Sequence, residues 1–293
     1  MKNGLTRRTL IERSGLLAAG ALMAPGLAAL ETAEKTRVVL VRDPYAVTAE
    51  GVVNADALAG MLDAAVAALV GEREPAAAWR QVVRAPDVVG IKSNVWRNLP
   101  TPPALEAAIT RRVVEQGVAE RAVAVDDRGI LASPVFKQAT ALINVRPLRT
   151  HHWAGLGTLL KNYIMFVPDP WSYHDNACER LGAVWQLPHV TGRTRLNVLV
   201  MLTPLFHGTG PHHFNRAYTW PYGGLVVSRD PVAADAVGAA IIAAQRRAHF
   251  GEDRPIQPPP HHIEAAERLF HLGTARLDRI ELVRLGEPRD SLI

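Results

Sequence analysis

Cysteine is almost missing from this chain: Cys178 is the only one in 293 residues. An intramolecular disulfide is therefore impossible. Neither a cysteine-ligated iron–sulfur cluster nor a four-cysteine zinc site can be built within one chain. A metal has to be held by histidine, by carboxylate or by a non-protein group. Cys178 itself, beside Ala177 on an expected helix, reads first as a core filler. Also missing are the Gly-x-Ser-x-Gly elbow, the P-loop, the Gly-x-Gly-x-x-Gly fingerprint and the His-Glu-x-x-His zinc motif. Serine hydrolase, nucleotide hydrolase and ordinary NAD chemistry each lose their expected marker. No internal repeat or low-complexity linker divides the chain, and no long Lys/Arg block points to nucleic acid.

The first thirty residues stand apart from the rest. Arg7-Arg8 forms a twin-arginine pair, followed by an apolar, alanine-rich run from Leu16 to Leu30 that ends in small residues near Gly26-Leu27-Ala28. The run is short and interrupted by Gly20, Pro25 and Gly26, whereas a spanning helix needs roughly 20 apolar residues. Residues 1–30 read as a twin-arginine export signal, so the expected location is periplasmic or otherwise exported, with the twin-arginine machinery as a partner. A short membrane anchor is the alternative, and no stable membrane span is expected in the mature chain. Removing Lys2, Arg7, Arg8 and Arg13 together with Glu12 takes the formal charge from +5 to +2. The basic balance is largely a property of the leader.

With 48% hydrophobic residues, the remainder can bury a sizeable core. Short β-branched runs predict strands at 37–41, 88–92, 122–125, 141–145, 196–202, 225–228 and 277–283. Helices are expected between them: from the Asn54 cap to about Val70, from Thr101 to Gln116, near 134–140, from Val232 to Gln245, and over 263–271. Residues 251–262 read as a proline-rich connection. This alternation predicts an α/β fold, a mostly parallel or mixed sheet with helices on both faces, as one domain over 35–293.

Polar residues recur where these strands end: Lys92 and Asn94, Asp126 and Asp127, Asn144, Ser228 and Asp230. In open α/β sheets the carboxyl ends of the strands face a crevice that takes ligands. The densest window is Asn144 to His174. It is expected to leave the strand at Pro147 for a loop with the polar tip Arg149-Thr150-His151-His152, then pass Gly155 and Gly157 to Lys161-Asn162 and Tyr173-His174. A plain loop of satisfied polar residues is the competing reading. A second long loop, 203–222, holds His207, His212 and His213, and the last two also suit a surface turn. Neutral imidazole both ligates metals and titrates near neutrality, so these histidines suit either task. Asp230 before Pro231 reads as a helix N-cap. Asp235 falls on the buried side of its helix and is expected to pair with a lysine or arginine of the pocket.

The segments IKSN (91–94), NVRPLRTH (144–151), LGTLLKN (156–162), Tyr173-His174, Gly210-Pro211 and LVVSRDPVAADAVG (225–238) resemble, in order, the motifs of the domain-of-unknown-function 362 family. Many members carry ferredoxin-type cysteine clusters, which this chain lacks. Within it, His151-x-x-Ala154-Gly155-x5-Lys161 followed by a histidine is similar to the core motif of nickel-pincer lactate racemases. That likeness implies a Lys161-borne cofactor, His174 as a metal ligand, His151 as the proton shuttle, and Arg149 as a bidentate partner of a substrate carboxylate.

These readings converge on a metal- or cofactor-dependent enzyme acting on a small anionic molecule. A non-catalytic periplasmic metal- or anion-binding protein is the alternative. Candidate catalytic residues are His151, Lys161 and Lys92; candidate substrate contacts are Asn94, Arg149, Asn162 and Asp235. Candidate metal ligands are His174, His152 and His207, for an ion that the residue types leave open among nickel, zinc, copper and iron.

Overall fold

The computed structural model describes residues 35–208 and 213–293. The export-signal reading, the Gly210-Pro211 pair and His212 lie outside the described residues. Eight strands form one mixed sheet: β1 (Thr36–Arg42), β2 (Val89–Lys92), β3 (Val123–Asp126), β4 (Ala141–His151), β5 (Gly155–Gly157), β6 (Thr194–Leu205), β7 (Gly224–Ser228) and β8 (Ile280–Gly286). Their order is β3-β2-β4-β6-β7-β1-β8, with β5 folded onto β4. Strands β3, β2, β4 and β6 run parallel, β7 is antiparallel to both neighbours, and β8 pairs parallel with β1.

Side-chain alternation along the strands explains how helices cover both faces. Ala141, Ile143 and Val145 of β4 pack with Val198 and Val200 of β6 against α1 (Ala55–Val70), α2 (Pro75–Arg80) and α3 (Pro103–Glu115). Leu142 and Leu148, one residue out of phase, pack with Leu199 and Met201 against the opposite layer. That layer contains α4 (Pro134–Gln138), α5 (Leu159–Asn162), α6 (Pro231–Phe250) and α7 (His261–Arg268). Strands buried on both faces read as continuous apolar runs, which is how they show in the sequence.

The helix caps follow the local chemistry. The Asn54 side chain accepts from Ala57 N, and Gly71 closes α1 with φ +77°. Asp230 takes Val232 N and Ala233 N at 2.8 and 3.0 Å, so its role is the N-cap of α6. Two expected elements shift. Helix α7 begins at His261, inside the expected connection, because His262 turns inward to Thr158. The last strand begins at Ile280 after a 3-10 turn at Leu277–Arg279.

The larger correction concerns β4. The expected loop from Pro147 is strand as far as His151. Strand β2 ends in register Lys92↔Asn144, so β4 has no strand neighbour on that side from Val145 to Leu148, until β5 pairs with Arg149–His151. Proline is tolerated on such an open flank and at bulges, and a register shift against β6 lies between Pro147 and Arg149. The overhang 145–151 therefore projects past the end of β2.

Candidate functional site

A tight return follows the overhang. His151 Nδ1 accepts from Trp153 N and Ala154 N at 3.2 and 3.4 Å, and β5 then pairs Arg149 with Gly157 and His151 with Gly155. Gly155 has φ +69°, and a Cβ there would lie 2.2 Å from Pro258 O. At Gly157 a Cβ would lie 2.6 Å from Arg149 Nη1 and 2.9 Å from Arg146 Nη2. The two glycines thus fix the turn and leave space for two guanidinium groups.

The return ends in α5, whose first N–H groups point at Asp235. Its carboxylate accepts from Leu159 N and Leu160 N, each at 2.9 Å. The expected cationic partner of Asp235 is present as the charge of Arg146, while its hydrogen bonds come from backbone donors, because a helix start offers unpaired N–H groups. Burial nevertheless raises its pKa to about 7, against those bonds and Thr158. From α5, Asn162 Nδ2 reaches Asn144 Oδ1 at 2.8 Å, and Asn144 Nδ2 donates to Leu159 O and to Asn197 Oδ1. Asn162 Oδ1 in turn faces Lys92 Nζ at 3.3 Å and Asn94 Nδ2 at 3.5 Å. This buried amide chain locks α5 to β2, β4 and β6.

Lys92 belongs to the same lock. Its ammonium donates to Ser93 O at 2.7 Å, to Asp127 Oδ1 at 2.5 Å and to Asn162, so its three donors all have fixed protein partners. Burial pulls Lys92 down to about 8 against the support of Asp127. Burial alone would raise Asp127, but the charge of Lys92 and the Val95 N–H hold it below its usual value. The pair is ionic at neutral pH. Of the expected catalytic residues, Lys92 is therefore the one placed as a support.

The remaining cations are differently housed. Arg146, Arg149 and Lys161 are all buried, and Arg146 shares the strand phase of Asn144. Arg149 Nε and Nη1 and Arg146 Nε are buried without a hydrogen-bond partner among the described residues. The Arg149 guanidinium lies 4.4 Å over the Trp96 ring. Burial lowers Arg146 to about 10; burial and the like charge of Arg146 push Arg149 well down.

Lys161 Nζ lies 3.0 Å from His174 Nε2 and 3.7 Å from Cys178 Sγ. Burial first, then Arg146 and Arg149, bring it to about 8. His174 is lowered to about 4 by burial and by Lys161, so it stays neutral and accepts the lysine proton. Burial, Lys161 and the two arginines push His151 far below its ordinary value, and it too is neutral. With Nδ1 accepting two backbone bonds, its proton sits on Nε2. The His151 and His174 rings lie 6.5 Å apart.

Cys178 was read as a helical core filler. It is buried, but Asn176, Ala177 and Cys178 have φ of 48°, 52° and 65°, and this left-handed run brings the thiol to Lys161. Burial raises the thiol pKa. Arg146, Asp127 and Cys178 are the members that motif reading missed. Asp127 shows in the sequence as a strand-end polar residue; Arg146, two residues after Asn144, falls just beyond the expected strand end at Val145 and shares the phase of Asn144 because the strand continues.

Among the other expected members, His152 stacks on His151 with ring centroids 4.9 Å apart. His207 is not brought to this cluster: its Nδ1 faces Arg246 Nη1 at 3.1 Å, and Tyr218 and Phe250 enclose its ring. Among the described residues no three of the types His, Cys, Asp and Glu are grouped to hold a metal ion. A separate cavity of about 440 Å³ lies beside Pro147, Val200, Leu202 and Phe214. Arg216 and Glu50 are among its lining residues, and Lys92, Arg146, Arg149 and Lys161 are not. Trp96 links the two places, with Arg149 on its face and Phe214 at its edge, 5.7 Å away.

This arrangement of β4, the return and α5 falls within one recognisable stretch. The family model described as Domain of unknown function (DUF362) matches residues 119–240. The match supports the family resemblance over β3, β4, β5, α5, β6, β7 and the first half of α6. The DUF362 stretch includes Asp127, Arg146, Arg149, His151, Lys161, His174, Cys178 and Asp235; Lys92 and Asn94 lie before it. No curated protein and no solved structure matches the chain.

Proposed function

We propose that this protein is an enzyme that binds a small oxyanion, a carboxylate above all, between Arg146 and Arg149 and acts on it through Lys161 and His174. One observation carries the reading: two buried guanidinium groups converge at Gly157 with N–H donors that lack partners among the described residues. A buried unpaired donor costs roughly 1–3 kcal/mol, more when charged, and a carboxylate offers two acceptors and the opposite charge at once. Lys161 and His174 then provide an amine and a neutral imidazole in hydrogen-bond contact beside the bound anion. Such a pair can pass a proton to or from a substrate atom.

The test is calorimetric titration with acetate, pyruvate and phosphate. Saturable binding is expected, lost in Arg149→Met and retained in Arg229→Met. Failure of every small anion to bind refutes the reading. Binding by a protein that turns over none of a panel of carboxylates supports the non-catalytic carrier instead.

The metal-dependent form of the reading draws on the contact between Lys161 and His174. A lysine-borne pincer group would use Lys161 for attachment and His174 as the protein donor, and would supply a Lewis-acidic centre next to the arginines. The described residues add no grouped donors beyond these, so the group itself would bring the rest. Intact mass and elemental analysis decide this point. The exported location is likewise a proposal, supported by Arg7-Arg8 and the run Leu16 to Leu30.

A further inference from the structure

We infer that Lys161 is a nucleophile for carbonyl carbon, forming an imine with a small 2-oxo acid whose carboxylate lies between Arg146 and Arg149. The inference rests on the anion reading and adds to it the reacting atom and the substrate class.

The two buried lysines are housed differently. Lys92 is ion-paired to Asp127 and has its three donors engaged, which fixes it as an ammonium. Lys161 has no carboxylate partner among the described residues; Nζ meets the imidazole of His174 and the thiol of Cys178. Buried, without an ion-pair partner and in contact with an imidazole nitrogen that can take its proton, Lys161 has the surroundings of a nucleophilic amine.

The substrate class follows from the two kinds of group in the site. The guanidinium pair asks for a planar oxyanion, and the amine asks for an electrophilic carbon. Phosphate or a simple hydroxy acid answers the first demand alone, whereas a 2-oxo acid answers both with adjacent carbons. Gly157, where the two arginines meet, lies four residues before Lys161 in the chain.

The chemistry balances without an oxidant or reductant. The lone pair of neutral Lys161 Nζ attacks the oxo carbon, and the carbonyl π pair moves to oxygen. His174 Nε2 takes a first proton from nitrogen and returns it to that oxygen, giving the carbinolamine; it then takes the second nitrogen proton and returns it to the hydroxyl, which leaves as water while the C=N bond forms. Amine plus ketone thus gives imine plus water.

Borohydride trapping tests the inference on the full chain with pyruvate as the probe. Peptide mapping is expected to show one reduced pyruvate adduct on Lys161, with the exposed Lys35 and Lys137 and the ion-paired Lys92 unlabelled. Arg149→Met lowers the yield by about tenfold or more, and Lys161→Met abolishes it. The labelling pattern of the unaltered protein carries the result if a variant does not fold. Pyruvate binding by calorimetry without an adduct on Lys161 overturns the imine and leaves the anion reading standing. Absence of binding by pyruvate, acetate and phosphate overturns both. Equal labelling of Lys35 and Lys137 also overturns it, because exposed amines would then suffice, and so does isolation of the protein with Lys161 already covalently occupied.

Discussion

Arg146 and Arg149 close on the same point of the backbone, the Cα of Gly157. A methyl group there would lie 2.6 Å from one guanidinium and 2.9 Å from the other. Both side chains come from the overhang of β4, and glycine on the paired strand is what allows them to share one space.

Gly157→Ala is therefore expected to weaken anion binding while the chain still folds. Gly157 has an ordinary strand conformation, so alanine meets no backbone penalty, and the added methyl acts on the guanidinium groups alone. Displacing one bidentate contact should cost about 1.5–3 kcal/mol, roughly tenfold to a hundredfold in affinity. Calorimetry with acetate and a thermal melt on the same sample check both halves of the expectation.

What the sequence revealed depended on whether the signal was local. The Asn54 and Asp230 caps, the alternating apolar runs and the gathering of polar strand ends are all set within a few residues, and all were legible. Pro147 misled because its compatibility with a strand depends on β2 ending at Lys92, a fact about a neighbour fifty residues away. Once β4 was cut short, the shared face of Asn144 and Arg146 disappeared from view. Asp235 was correctly expected to be buried, yet its hydrogen bonds come from backbone donors of α5, which no side-chain pattern displays. The left-handed run 176–178 that turns Cys178 toward Lys161 leaves no mark in residue type, since neither Ala177 nor Cys178 favours that conformation.

Asp235 should give the protein a distinct pH dependence of stability. Its folded-state pKa, raised by burial to about 7, lies above the ordinary aspartate value, so the folded state holds this proton more tightly than the unfolded state does. Its stabilising contribution is complete below about pH 4 and is lost as pH rises through about 7. Asp235→Asn cannot ionise and is expected to flatten the slope of Tm against pH between 4 and 7. A slope unchanged in the variant would assign it to other groups.

The proposed twin-arginine signal in residues 1–30 can be tested apart from the site. Replacing Arg7 and Arg8 together by lysine should leave full-length protein inside the cytoplasm, while the parent accumulates outside it in processed form. Fractionation with an antibody to the mature chain measures this. Equal export of both forms would remove the twin-arginine reading without touching the pocket.

The ion pair of Lys92 and Asp127 allows a test of support against catalysis. Removing one member of a buried pair leaves an uncompensated charge and typically costs about 3–5 kcal/mol. Lys92→Met should therefore destabilise strongly, since Asp127 would keep only the Val95 N–H at 2.9 Å. Replacing both, Lys92→Met with Asp127→Leu, removes the stranded charge and should recover a large part of the loss. A residue that supports α5 through Asn162 predicts that activity, when assayed, recovers along with stability in the double variant. A residue that reacts with substrate predicts restored folding with no activity. Urea melts and turnover on the parent and these two variants separate the two outcomes.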